Sequence, residues 1–383
     1  MKIMFVCAAH HLRVELIHLT PFLAQLPYEF IVSPLVRLEE KERYQAIISG
    51  LGRSYKNIVV DPIFLRSSSQ RFASLLNPNV LLQDSFSLLN VIRRRKPDNV
   101  VCYYLIHAYP FVLLKKIFGF SMAVLAQGSD VNLDRSLFER QVAKLVCRSS
   151  DLIFAASWTL KDIIETEYNR SVSVIPSSTD SSFFRPLRSK SMLRYKWDIA
   201  REKQVILCAT RIDRFKGIDL VIKSLLAVPE NVVLLIAGEG ESRETFEQLT
   251  VSLGLQHRVT FLGFRNRQEV VELYNLADVF VNASYSEGLP RALIESMACE
   301  CIPIVTNVGS MPKVVSNGFN GFLVNPGDSE GLVESIKKVF SLSKEQKRLM
   351  QTRARHTVKD DFDSRKTLKR MIDKIVDLRM SRV

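Results

Sequence analysis

Short apolar runs alternate with longer stretches of mixed polarity along the whole chain. Residues 3–7, 30–32, 57–60, 99–104, 123–126, 152–155 and 172–175 read as strands in the first half. Residues 204–210, 232–237, 259–262, 277–283 and 301–305 read the same way in the second. Nearly every position in these runs is apolar, which marks strands covered on both faces, as in a parallel sheet. The intervening segments are long enough for crossover helices, so the pattern predicts an α/β chain of βαβ units. Residues 329–342, 344–357 and 363–382 read as three consecutive helices. A chain of 383 residues is too long for one core and suits two domains. The charged, proline-bearing stretch that starts at Arg185-Pro186 is the expected linker, with domains at 1–183 and 184–361 and a terminal helix at 362–383.

One stretch carries chemistry: ADVFVNASYSEGLPRALIESMACECIPIV, residues 277–305. It reads as strand, loop, helix and strand, with Pro290 at the first helical position, where a missing N–H costs nothing. The N–H groups of Ala292 and Leu293 would then be free at the helix start, where the dipole favours an anion such as a diphosphate. Glu295 shares a helix face with Arg291 at i, i+4, and Glu287 lies in the loop before the helix. Carboxylates beside a phosphate suit hydrogen bonds to sugar hydroxyls. Two solvated glutamates on an ordinary crossover have the same spacing, and short motifs have low specificity.

At these residues the chain resembles a known family. E-G-L-P-R-A-L-I-E, from Glu287 to Glu295, is similar to the paired-glutamate motif of retaining GT-B glycosyltransferases, family four in particular. ATRIDRFKGIDLVIKSL (209–225), LLIAGEGESRE (234–244), the segments 259–284 and 309–328, and VIPSSTDSSFFRP (174–186) extend the resemblance. The second half matches closely, the first half loosely. The resemblance implies two Rossmann-like domains facing each other across a cleft, with the last helix crossing back to the first. It implies a nucleotide-diphosphate sugar donor and no metal cofactor. By that likeness Arg211 and Lys216 would neutralise the diphosphate, Glu287 with Gly288 and Leu289 would orient the donor sugar, and Glu295 would hold ribose hydroxyls. Gly240 and the backbone around Gly263–Arg265 would meet the nucleotide.

In open parallel sheets, ligands bind beyond the carboxyl ends of the strands. That rule adds His10 and His11, His107, Gln127 and Asp130 as acceptor-side candidates, each also open to a purely structural role. Two departures from the family pattern stand out. The loop CAAHHLR after the first strand lacks the usual glycines, and Gln127 stands where many members have a histidine. Glutamine can donate a hydrogen bond but cannot titrate. These departures keep two alternatives open: a GT-B relative with phosphorylase or epimerase chemistry, and a non-catalytic partner subunit.

Six cysteines, Cys7, Cys102, Cys147, Cys208, Cys299 and Cys301, fall mostly in apolar runs with no disulfide or zinc spacing, which suits the cytoplasm. The run 100–127 is broken by His107, Pro110, Lys115 and Lys116, so no spanning helix is expected. The net charge of +13 with no nucleic-acid module suits an anionic lipid surface or an acidic glycan. The resemblance implies a glycan or lipid-linked glycan acceptor, which would place the first domain at the inner face of a membrane. Arg93–Lys96 and the aromatic-basic stretch 109–120 are the expected lipid-facing parts, against the alternative of a core helix with two snorkelling lysines.

Overall fold

The computed structural model describes residues 1–8, 17–37, 56–65, 78–128, 136–187 and 189–380; His10, His11 and Asp130 lie outside them. The chain forms two compact units, Met1–Ile175 with Leu368–Val383, and Pro176–Thr367.

The first unit holds β1 (Lys2–Ala8), β2 (Glu29–Arg37), β3 (Ile58–Val60), β4 (Ile63–Leu65), β5 (Asn99–Tyr103), β6 (Ser121–Ala126), β7 (Leu152–Ala155) and β8 (Ser173–Val174). They run in the order β3-β2-β1-β5-β6-β7-β8, with β4 also on β2. Every pairing is parallel. Alternate residues of β1 serve opposite layers, because side chains of a strand point to the two faces in turn. Met4 and Val6 pack with residues of the helices Leu105–Phe118 and Leu137–Ser149. Ile3, Phe5 and Cys7 pack with Leu368, Met371, Ile372 and Ile375 of the terminal helix Ser364–Met380.

The second unit holds β9 (Gln204–Ala209), β10 (Val232–Ala237), β11 (Val259–Gly263), β12 (Val279–Asn282), β13 (Ile302–Thr306) and β14 (Phe322–Val324). Their order is β11-β10-β9-β12-β13-β14, again all parallel. The three-residue strands β4 and β14 are additions to the elements expected from sequence. β14 sits between the turns NGFNG and NPGD, whose Gly318 and Gly327 adopt φ of 74° and 79°.

The boundary between the units does not fall at Arg185-Pro186. The charged stretch beyond contains the helix Lys190–Lys196, from which Lys190 Nζ and Arg194 Nη2 each reach Asp278 at 2.7 Å. The second unit begins earlier, at Pro176, because Thr179 is tied to the start of the terminal helix. Its N–H donates to Phe362 O at 3.0 Å, and its carbonyl accepts from Ser364 N at 2.9 Å. The acidic DDFD run divides between helices. Asp360 and Asp361 end one, and the Asp363 carboxylate accepts from Arg365 N at 3.0 Å at the start of the next.

The expected lipid-facing cations are also corrected in part. Arg94 and Arg95 both bind the Asp61 carboxylate at 2.6 Å, and Lys115 binds Asp151 at 2.7 Å. Those three charges serve internal ion pairs. Among the described residues no helix is long and apolar enough to cross a membrane. All six cysteines are buried, and burial pushes the Cys208 and Cys301 thiols up to about 12, far from thiolate chemistry at neutral pH.

Candidate active site

Each sheet reverses its strand order once. In the second unit β9 lies between β10 and β12, so the connections onward from β9 and β12 run to opposite sides of the sheet, and the switch point between them is where the crevice of an open parallel sheet lies. Lys216 comes from the loop after β9 and Glu287 from the loop after β12. Lys216 Nζ donates to Glu287 Oε1 at 2.6 Å, with side chains only 18% and 12% exposed. The same oxygen accepts from Ser284 Oγ at 3.0 Å and lies 3.5 Å from Asn282 Nδ2. Sequence reasoning missed both partners. A polar Asn at the end of the apolar run 277–283 was the available signal.

Glycine makes this approach feasible. Gly217 follows Lys216 with φ 63°, and a Cβ there would lie 2.1 Å from Ala283 O. Phe215 O accepts from Tyr285 N at 2.8 Å, joining the two loops. Asp213 caps the short 3-10 turn Arg214–Lys216 by accepting from Phe215 N at 3.0 Å. Arg211 Nη2 binds Asp213 at 2.8 Å, and its side chain is 75% exposed. Arg211 therefore stands at the same strand end as Lys216 but in solvent. Gly240 is needed for backbone packing, since a Cβ there would meet Ile212 O at 2.1 Å.

The helix Arg291–Ala298 starts one residue later than expected. Pro290 is its N-cap, with φ −69° and ψ 128°. The Leu293 N–H is not free: it donates to Pro290 O at 3.2 Å, and the Leu293 side chain is buried in the core. Of the expected pair, only the Ala292 N–H fits the anion-facing role, as one of the first helical amides that lack an intrahelical acceptor. Gly288 O accepts from Ser310 N at 2.7 Å, and Leu289 is buried.

Glu295 is half-buried, with Oε2 at 3.4 Å from the hydroxyl of Tyr274. Tyr274 is fully buried, its ring 6.3 Å from Phe184 and 6.0 Å from Phe280. Burial pushes the Glu295 carboxyl above its ordinary range, opposed by Arg291, Arg267 and the Tyr274 hydroxyl. The Arg267 guanidinium lies 4.2 Å from the Phe183 ring, and burial lowers its own pKa. A carboxyl with a raised folded pKa favours the fold only while protonated, and that benefit is lost as pH rises through the raised value. Glu295→Gln is therefore expected to raise the thermal midpoint near neutral pH, with the gain vanishing at acid pH. The check is a pair of melting curves across pH; a midpoint below wild type at neutral pH would contradict the assignment.

Arg265 is turned into the protein, bonding to Leu262 O and lying 5.7 Å from the Trp197 ring. Its side chain thus supports the loop after β11. In the first unit, His107 and Gln127 both follow strand carboxyl ends, on the neighbouring strands β5 and β6. His107 Nδ1 lies 3.2 Å from Tyr103 O, and its ring packs edge-on to Tyr104 at 5.3 Å. Tyr104 has φ 73° with ψ 134°, a positive-φ conformation that is rare for a tyrosine and that sequence could not signal.

Residues 189–356 match the family described as glycosyl transferases group 1. That match places the group 1 glycosyltransferase likeness in the second unit. The matched segment contains Arg211, Lys216, Gly240, Arg265, Glu287 and Glu295, whereas His107 and Gln127 lie outside it. The chain is 25% identical to N-acetyl-alpha-D-glucosaminyl L-malate synthase of Bacillus anthracis over 84% of its own length and 85% of the relative's. A glycosyltransferase from Rickettsia africae superposes with TM-score 0.81 at 20% identity, covering 98% of each chain. Anabaena HepE in complex with UDP gives TM-score 0.80 at 20% identity, covering 98% of this chain and all of HepE. The two parallel α/β units thus have the GT-B fold.

Proposed function

We propose that the chain moves a sugar from a nucleotide-diphosphate donor to a hydroxyl acceptor with retention at the anomeric carbon. The observation that carries the reading is the Lys216–Glu287 pair at the crevice between β9 and β12. Lys216, with Arg211, would meet the diphosphate where negative charge grows as the leaving group departs, the place where preorganised charge helps most. Glu287 would orient the donor sugar and Glu295 the ribose hydroxyls. The bond from the anomeric carbon to phosphate breaks and the bond to the acceptor oxygen forms on the same face. The acceptor proton passes to the departing phosphate. HepE is described with UDP, the class of ligand proposed here. The acceptor proposed is a glycan or lipid-linked glycan in cell-surface polysaccharide or glycolipid assembly.

The first test is a thermal-shift screen of nucleotide sugars, since a ligand that binds only the folded chain raises its midpoint. A saturating donor at about 100 times its Kd is expected to contribute about 2.7 kcal/mol. The purified chain should then transfer or slowly hydrolyse the stabilising donor. Isomerisation of the donor without transfer would favour an epimerase instead, and silence against every nucleotide sugar would remove the proposal. Stereochemistry gives a second test: an α-linked donor should yield an α-linked product, and a β-anomer as the first product by NMR would sink retention.

A further inference from the structure

The helices Leu105–Phe118 and Leu137–Ser149 lie side by side on one face of the first sheet. Their inner residues, among them Phe111 and Val146, share one core cluster. Their outer rows are apolar too. Leu113 is 65% and Leu137 81% exposed, and Ile117 and Leu145 are exposed beside them. Leu113 and Ile117 are spaced i, i+4, so they form one stripe along the helix. The two helices touch each other, so the apolar side chains that each leaves exposed belong to one layer of the unit. Exposed apolar faces of this kind mark interaction surfaces.

The charges on the same two helices indicate the occupant. Lys116 and Arg148 are exposed, while Glu139 is the one carboxylate in either helix and is engaged with Ser136 in a capping box. A second copy docking on this face would set cations against cations. An anionic bilayer accepts the leucine and isoleucine side chains and attracts the cations at once. We propose that this two-helix face binds reversibly to anionic lipid membranes. The lipid-facing residues are then Leu113, Ile117, Leu137 and Leu145 with Lys116 and Arg148. Arg94, Arg95 and Lys115 are not part of it, because Arg94 and Arg95 pair with Asp61 and Lys115 with Asp151. The binding stands apart from the sugar chemistry.

The test is sedimentation of the full chain with vesicles of phosphatidylcholine alone or mixed with phosphatidylglycerol. Binding to the anionic vesicles only is expected, weakening as salt screens the charges. The double variants Leu113→Asp/Ile117→Asp and Lys116→Glu/Arg148→Glu should each weaken it at least about tenfold. Both pairs are exposed, so melting curves and donor turnover without vesicles should match wild type. Equal binding to both vesicle types, binding to neither, or binding indifferent to these variants would overturn the proposal. So would a dimer in vesicle-free sedimentation velocity that the same variants abolish, which would assign the face to a second copy.

Discussion

Lys216→Ala is expected to lower kcat/KM about 100-fold or more while leaving the fold intact. Lys216 is a single cation aimed at the crevice between β9 and β12, and removing one such preorganised group costs about 2.7–4 kcal/mol in transition-state stabilisation. Its Nζ is fixed at 2.6 Å from Glu287, so little reorganisation is needed as charge develops. The substitution also strands a carboxylate that is only 12% exposed, so some loss of thermal stability should accompany the kinetic defect. Lys216→Ala/Glu287→Gln separates the two effects: it should recover stability but not turnover. Arg211→Ala should cost about 30-fold or more, since Arg211 is proposed for the same diphosphate, but with little stability penalty, because the Arg211 side chain is 75% exposed in its pair with Asp213. Steady-state kinetics with the donor found by thermal shift decides the matter. Wild-type turnover in Lys216→Ala would remove the diphosphate assignment.

Gly309→Ala is expected to abolish most turnover through the backbone alone. Gly309 has φ 58°, and a Cβ there would lie 1.9 Å from Glu287 O and 2.8 Å from Gly288 O. Neither atom is a flexible side-chain end, so the loop that carries Glu287 must move. Shifts of about 1 Å at a reacting centre can cost about 100-fold. A stability loss of about 1–3 kcal/mol should accompany it. Gly119→Ala is the matched control: it has φ 74° but nothing within 4 Å of the added carbon. It should pay only the conformational strain, roughly 1–2 kcal/mol, and keep full turnover in solution. If the two variants lost equal activity, or if Gly309→Ala kept wild-type turnover, the loop contact would have no functional role.

Several features were legible in the sequence because they are local. Buried strands show as unbroken apolar runs, and crossover lengths between them require parallel pairing, so the elements and the α/β class follow from composition along the chain. The loops after those strands follow too, but it was the resemblance to a known family that singled out Lys216, Glu287 and Glu295. The three-residue strands β4 and β14 carry too little pattern to register.

What only the tertiary structure decided is who faces whom. Parallel crossovers do not fix strand order, so the positions of β9 between β10 and β12, and of the crevice, came from packing. Arg94 and Arg95 look like a surface cluster in sequence, yet their partner Asp61 is 33 and 34 residues away. Tyr274 reads as an ordinary core aromatic, and its hydroxyl reaches a carboxylate 21 residues on. Leu113 and Ile117 belong to the same apolar helix as Phe111, and burial alone separates the outer row from the core. Apolar periodicity is set by each segment's own covering. The pairing of charges, and the choice of which apolar row stays exposed, depends on contacts between segments far apart in the chain.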